Sequence, residues 1–311
     1  MGKVLAICTS DVRGIQKSCV DSAEFRVDWG IVGDAHAENW HRQVSLLSFE
    51  KIDDFRKKGA DVAFGAFGEN LVVEGFDFRS LPVGTLLKCG DVLLEMTQIG
   101  KDCHSHCAIY KVMGDCIMPR EGVFARVRQG GNISVGDEME IVERTGKRPY
   151  QAAVITLSDK GSRGEREDKS GPLLASRLKE MGYEVVETLL LPDDKGAIKK
   201  QLMRLSDQRQ LDLILTTGGT GFAERDVTPE ATMEVATKNA PGIAEAIRAY
   251  SMAITKRAML SRGASVIRNK TLIVNLPGSP KACDESLDCI KDSLPHGLDL
   301  LRGVGGECAR T

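Results

Sequence analysis

The chain of 311 residues is poor in aromatic side chains, at 5%, and holds only five histidines and two tryptophans. It also lacks an excess of charge of either sign. Lys and Arg number 42 against 44 Asp and Glu, for a formal net charge of -2, so the basic footprint that a nucleic-acid backbone selects is missing. No apolar run approaches the ~18 residues that cross a bilayer. Met1 to Cys8 has no basic segment ahead of a long apolar core, which argues against a signal peptide. Ala6 stands where a myristoylation signal carries Ser or Thr. With no export signal, the nine cysteines are expected as free thiols of a cytoplasmic protein that binds neither nucleic acid nor membrane.

What is present is ordinary for a globular protein, with 42% hydrophobic and 28% charged residues. The length suggests two domains, and the pattern changes near the middle. The polar run Glu143 to Pro149 gives way to the apolar run Ala152 to Leu157, which places a boundary near residue 147 and domains at 1–147 and 148–311.

The first half shows short apolar runs broken by glycine: Val4 to Thr9, Val44 to Leu47, Asn70 to Val73, Leu86–Leu87, Asp91 to Thr97, Gly122 to Val127 and Met139 to Val142. Close-spaced short strands predict a β-barrel or sandwich. One helix is expected, Glu50 to Lys58, with Ile52 and Phe55 on a common face; Gly130-Gly131-Asn132 and Val135-Gly136-Asp137 read as tight turns. Cys8, Cys19, Cys89, Cys103, Cys107 and Cys116 all fall in this half, as do His36, His41, His104 and His106. Cys103-His104-Ser105-His106-Cys107 does not match zinc spacing, because ligand pairs normally come from separated segments. A reactive thiol favoured by Lys101 and the imidazoles and a buried structural cysteine both remain open. Gly33-Asp34-Ala35-His36 binds a ligand or closes a turn.

In the second half, strands and helices alternate, which predicts a mostly parallel sheet covered on both faces. Expected helices begin at Ser170-Gly171-Pro172, after Pro192-Asp193-Asp194, at Pro229 (to about Asn239), at Ile243 and at Lys281, the last bent at Pro295. Val266–Ile267 and Thr271 to Leu276 flank a hairpin turn at Arg268-Asn269-Lys270. Leu211 to Leu215 is a buried-strand run that leads into Thr217-Gly218-Gly219-Thr220-Gly221, then Asp226, then Thr228-Pro229 as N-cap and first helical residue. The glycine spacing fits neither a Walker loop nor a dinucleotide fingerprint. Such a loop is either a tight turn without a ligand or a phosphate cradle built from backbone amides. A carboxylate just beyond a cradle is where a hard cation such as Mg²⁺ is held. Ser158-Asp159, Asp193 and the turn Pro277-Gly278-Ser279 fall at neighbouring strand ends, where open α/β sheets bind ligands.

Two resemblances sharpen this reading. Gly33-Asp34-Ala35-His36, Gly68-Glu69-Asn70-Leu71 and Gln98 through Cys103 resemble the MOSC domain, a β-rich module. That resemblance implies binding of molybdenum cofactor or handling of sulfur, with Cys103 as the thiol. Ser158-Asp159 with Asp168 to Pro172, Thr217 to Gly221 with Arg225 to Thr232, Met259 to Arg262 and Asn275 to Gly278 resemble the molybdopterin adenylyltransferases over nearly all of residues 150–311. The resemblance implies transfer of AMP from Mg-ATP to the terminal phosphate of molybdopterin, with release of pyrophosphate. It also implies a homo-trimer and partners in molybdate insertion or among molybdoenzymes. By motif, Gly218, Gly219, Thr220 and Gly221 cradle nucleotide phosphates, and Asp226 and Asp193 hold Mg²⁺ or orient the reacting phosphates, with Asp194 as a rival for the second place. Ser158, Asp159, Ser261, Pro277, Gly278 and Ser279 contact the pterin. The whole chain is then a fusion of an activating enzyme with a domain for the finished cofactor. Two other readings are a non-catalytic carrier of molybdopterin or molybdenum cofactor, and a sulfur-transfer protein working through Cys103.

Overall fold

The computed structural model describes residues 1–102, 110 and 114–304. It divides into two compact units, Met1–Lys147 and Arg148–Thr311. The first contains β1 (Gly2–Thr9), β2 (Ser18–Val20), β3 (Ser22–Arg26), β4 (Gly30–Ile31), β5 (Val44–Ser48), α1 (Phe49–Lys57), β6 (Leu71–Glu74), β7 (Leu86–Cys89), β8 (Val92–Ile99), β9 (Val123–Gln129), β10 (Gly131–Ser134) and β11 (Glu138–Val142). Seven of these strands close into a barrel in the order β11-β7-β8-β9-β5-β6-β1, with β1 returning to β11 through Gly2↔Met139 and Lys3↔Glu138. Closure removes the exposed sheet edges an open sheet must otherwise protect.

Those seven strands are the seven apolar runs of the sequence. Alternation along β1, β5, β6 and β9 fills two compartments, and β7, β8 and β11 add to the first. Val4, Val44, Leu46, Leu71, Val73, Leu94 and Met96 pack in one core. Ala6, Cys8, Leu47, Val72 and Phe124 pack instead with Ile52 and Phe55 of α1. Four strands were not expected: β2, and the small sheet β10-β3-β4. They are short, and all but the buried two-residue β4 are mostly exposed, so they carry no apolar periodicity to read. Gly131–Ser134 pairs with β3 as a strand, which corrects the tight turn expected at Gly130 to Asn132.

The second unit contains β12 (Gln151–Leu157), α2 (Ser170–Glu180), β13 (Glu184–Leu191), α3 (Lys195–Met203), β14 (Leu213–Thr217), α4 (Thr228–Glu234), β15 (Lys238–Asn239), α5 (Pro241–Ile254), β16 (Ser265–Arg268), β17 (Thr271–Leu276), α6 (Pro280–Ile290) and α7 (Leu294–Arg302). Its sheet runs β13-β12-β14-β17-β16-β15; the pairs among the first four strands are parallel and the last two strands antiparallel. Helices cover both faces. Ala152 and Val154 meet α2, α6 and α7 on one side, while Ala153 and Ile155 meet α3 and α4 on the other.

Three expectations need correction. The helix beginning near Pro229 stops at Glu234, and Lys238–Asn239 becomes an edge strand beside β16. Thr237 donates its backbone N–H to Ile267, and Ala240 to Ser265, so tertiary pairing overrides continued helix. Thr228 is the first helical residue rather than a capping side chain. The helix expected from about Lys281 is two helices, α6 and α7, with Pro295 in the first turn of the second; a proline there has no N–H with which to continue the preceding helix.

Candidate active site

The carboxyl ends of β12, β13, β14 and β17 open into one cleft of about 760 Å³, lined among others by Ser158, Asp193, Gly218, Gly219, Asp226, Gly278 and Ser279. The glycines at its floor follow from close packing. Gly218 has φ +98°, and a Cβ there would lie 2.4 Å from the Leu157 carbonyl oxygen. Gly219 has φ +62°, and its Cβ would lie 2.3 Å from Thr228 Oγ1 and 3.0 Å from Asp193 Oδ1. Both positions combine left-handed backbone with the approach of a second chain segment, so a side chain is excluded twice over. Gly278 lies against Gly218 across β14 and β17, and Ser170 Oγ donates to the Gly278 carbonyl at 2.9 Å. The turn after β17 is thereby pinned to the start of α2.

Two neighbouring acids take different work. Asp194 caps α3, its Oδ1 accepting the Ala197 amide at 2.7 Å, while Asp193 faces the cleft. Asp193 Oδ2 accepts the Asp159 amide at 3.0 Å, and Asp159 Oδ1 accepts the Asp193 amide at 3.1 Å. This reciprocal clasp joins the loops after β12 and β13. Arg225 holds Asp159 with two hydrogen bonds of 3.0 and 2.8 Å, and that guanidinium keeps the Asp159 carboxyl below its ordinary value. Asp193 has no cation bonded to it in this way among the described residues, and the charge of Arg225 only partly offsets what raises its pKa. Burial raises its pKa, and the charges of Asp159 and Asp226 raise it further. Asp226 Oδ2 accepts the Ala223 amide at 2.9 Å, which closes the loop it sits on. Among the described residues no group of three or more His, Cys, Asp or Glu side chains forms a ready-made metal cage. Mg²⁺ is commonly held by one or two carboxylates together with substrate phosphates. Asp193 facing Asp226, neither held in an ion pair among the described residues, fits that donor set.

The other expected residues are dispersed. Thr220 is buried, and Arg262 ties its loop down by donating to the Thr220 carbonyl from its amide at 3.0 Å and to the Gly221 carbonyl from Nε at 2.7 Å. The Pro277 carbonyl accepts the Thr217 hydroxyl at 2.7 Å. Ser279 caps α6 by accepting the Ala282 amide at 3.2 Å, and Ser158 caps the short turn Asp159–Ser162. Thr220, Gly221, Asp159, Pro277 and Ser261 are not among the residues lining the cleft.

In the first unit the two sequence motifs meet at Asp34. Its Oδ2 accepts Lys17 Nζ at 2.8 Å and Asn70 Nδ2 at 3.1 Å, and Oδ1 accepts the His36 amide at 2.9 Å. The Lys17–Asp34 ion pair is 1% exposed on both sides. Burial opposes the charge on Asp34, but hydrogen bonds from His36 and Lys17 outweigh it and hold the carboxyl well below its usual range. Glu69 accepts the Gly65 and Phe67 amides at 2.7 and 3.0 Å; burial nonetheless raises its pKa. His41 Nε2 and Gln98 Oε1 are 2.9 Å apart. Cys103, His104, His106 and Cys107 lie outside the described residues.

Residues 153–296 match the model of a probable molybdopterin binding domain, and residues 33–140 that of the MOSC domain. The molybdopterin adenylyltransferase of Helicobacter pylori is 41% identical over 152 residues, which cover 48% of this chain and 86% of that protein. The chain belongs to the molybdopterin adenylyltransferase family. The molybdopterin adenylyltransferase of Escherichia coli K12 is 40% identical over 171 residues, covering 50% of this chain and 87% of that one. A solved structure of the molybdopterin biosynthesis enzyme MoaB from Thermus thermophilus is 46% identical, covers 50% of this chain and 98% of that chain, and has a TM-score of 0.48.

For a molybdopterin adenylyltransferase, the cleft contains polar groups that the sequence did not single out as site residues. Thr156, Arg166, Asp168 and Lys169 line it. Asp168 Oδ1 accepts the Ser170 and Gly171 amides at 3.0 and 2.9 Å. Its Oδ2 and Thr156 Oγ1 both lie 2.5 Å from where a Gly171 Cβ would stand. Thr156 Oγ1 and Thr228 Oγ1 are buried without a hydrogen-bond partner among the described residues. The signal for Asp168 was present, since it stands two residues before the Ser-Gly-Pro helix start. Thr156 was hidden inside an apolar strand run.

Proposed function

We propose that residues 148–311 transfer an adenylyl group from Mg-ATP to the terminal phosphate of molybdopterin, releasing pyrophosphate. The observation that carries this reading is the convergence of the Gly218–Gly219 turn with Asp193 and Asp226 in one cleft at the ends of parallel strands. Adenylyl transfer between phosphates needs positioning and charge control more than a protein nucleophile. The glycine turn lets phosphate oxygens approach the backbone closely. Asp193, with its raised pKa, and Asp226 would hold Mg²⁺, which supplies neutralisation of phosphate charge when bound. Ser158, Gly278 and Ser279 stand on the same cleft and are assigned to the pterin and its phosphate; Thr220, Gly221, Asp159, Pro277 and Ser261 support or flank it.

The family relationship, and the molybdopterin and ATP that its members' names imply, support the substrate assignment. For the whole chain we extend the reading to a cytoplasmic homo-trimer that hands its product to molybdate insertion. The MOSC domain at residues 33–140 then binds cofactor or handles sulfur through Cys103.

The test is pyrophosphate release from Mg-ATP by the purified chain, with and without molybdopterin. Pterin-dependent release is expected. Asp226→Ala should lower it roughly 100-fold or more, the usual scale for removing one charged contact to a transition state, with pterin binding retained. Normal turnover by Asp226→Ala would remove the role assigned to it. Tight pterin binding with no release by the unaltered chain would favour the carrier reading.

A further inference from the structure

In the barrel unit two thiols face each other across a strand pair. Cys8 on β1 lies directly opposite Cys19 on β2, and their sulfur atoms are 3.5 Å apart. The backbone of Cys8 is turned the other way: its N–H donates to the Asn70 carbonyl at 2.7 Å, and its carbonyl accepts Asn70 Nδ2 at 3.0 Å. Cys8 and Cys19 are therefore a non-hydrogen-bonded antiparallel pair. Such pairs bring their Cα atoms to about 4.5 Å and their side chains closest together. That separation falls within the span a disulfide accepts. Cys89, by contrast, faces Met139 and Val92 across its neighbouring strands.

The two thiols also differ in access. Cys8 is fully buried and Cys19 is exposed. One sulfur is thus open to a reagent while the other waits behind it, the arrangement of an attacking thiol and a resolving thiol. The segment between them carries Lys17, whose buried ammonium is paired with Asp34.

We propose that Cys8 and Cys19 form a dithiol–disulfide redox site that takes low-molecular-weight disulfides as its oxidant. Cys19, after losing its proton to solvent, attacks one sulfur of the disulfide RSSR. A Cys19–S–S–R bond forms, the original S–S bond breaks and one RS⁻ leaves. Cys8 then attacks Cys19 Sγ, which forms the Cys8–Cys19 bond and expels the second RS⁻; the leaving thiolate takes up the Cys8 proton. The protein loses two electrons and two protons, and RSSR is reduced to two RSH. Burial raises the pKa of Cys8, so its attack depends on its position beside Cys19 rather than on free thiolate. The new bond fastens β2 to β1 and closes the segment around Lys17.

The full chain is incubated with excess oxidised glutathione, quenched in acid, alkylated and digested for mass spectrometry. The expected result is a peptide linked through Cys8 and Cys19, with no glutathione retained on either and Cys89 still alkylated. Cys8→Ser should leave glutathione trapped on Cys19, and Cys19→Ser should leave Cys8 alkylated. A parallel reaction of the unaltered chain in denaturing urea separates folding from chemistry, because pairing imposed by the barrel should be faster in the native chain by tenfold or more. Glutathione retained on Cys19 of the native chain, both thiols alkylated, or equal rates in urea would overturn the proposal.

Discussion

At the scale of single residues, the cleft turns on a carboxylate held at a cost. Asp193 is half-buried beside Asp159 and Asp226, and burial raises its pKa. A carboxyl whose pKa is higher folded than unfolded destabilises the native state once it is ionised. The penalty is complete above the folded pKa and vanishes below the unfolded one. Asp193→Asn keeps an oxygen to accept the Asp159 amide and removes the charge. The variant should therefore melt higher than the unaltered chain at neutral pH without Mg²⁺, the gain should fade as the pH falls through the raised folded pKa and be gone below the ordinary carboxylate range, and pterin-dependent turnover should drop. Calorimetric melts at several pH values check this; an equal or lower melting temperature at neutral pH would show that the Asp193 charge is already compensated. The contrast with Asp194 is instructive, since adjacent and identical side chains cap a helix in one case and face the cleft in the other.

Among elements, one carboxylate gathers the base of the α/β sheet. Asp212, just before β14, accepts the Gln151 amide at 2.7 Å at the start of β12. It also accepts Arg148 at 3.1 Å, and Arg302 at the end of α7 at 2.8 Å from both Nε and Nη2. Arg302 Nη1 and Nη2 donate in turn to the Arg148 and Pro149 carbonyls at 2.8 Å. The first residues of this unit are thus clamped to its last described helix. The Asp212 side chain is 6% exposed, so removing it takes the buried countercharge away from two guanidinium groups with little water to replace it. Asp212→Ala should cost about 3 kcal/mol, measured by urea unfolding, while the cleft at the opposite strand ends keeps its affinity for nucleotide. A loss below about 1 kcal/mol would mean that the arginines find other partners.

For the molecule as a whole, each unit has its own cores and its own closed or covered sheet. Residues 148–311 contain the whole cleft described above. A fragment of residues 148–311 should fold cooperatively and release pyrophosphate at a rate within about threefold of the full chain, because no residue assigned to adenylyl transfer comes from elsewhere. A fragment that is folded yet inactive would show that the first unit completes the site.

The sequence by itself determined the elements whose signal is periodic. Seven apolar runs became the seven barrel strands, and alternating strand and helix patterns became a parallel sheet, because burial imposes a period of 2 or 3.6 on the residues that pay for folding. Glycines 218 and 219 were legible for a related reason, since left-handed backbone and close approach leave no other residue type. Only the tertiary structure decided which of Asp193 and Asp194 faces the cleft, that Lys17 pairs with Asp34, and that Cys8 stands across from Cys19. These outcomes depend on which segments meet. Thr156 and Lys17 sit among residues whose local pattern says strand or loop and nothing about a partner. The short strands β2, β3, β4 and β10 form because a neighbour offers backbone hydrogen bonds, and side-chain pattern carries no record of that offer.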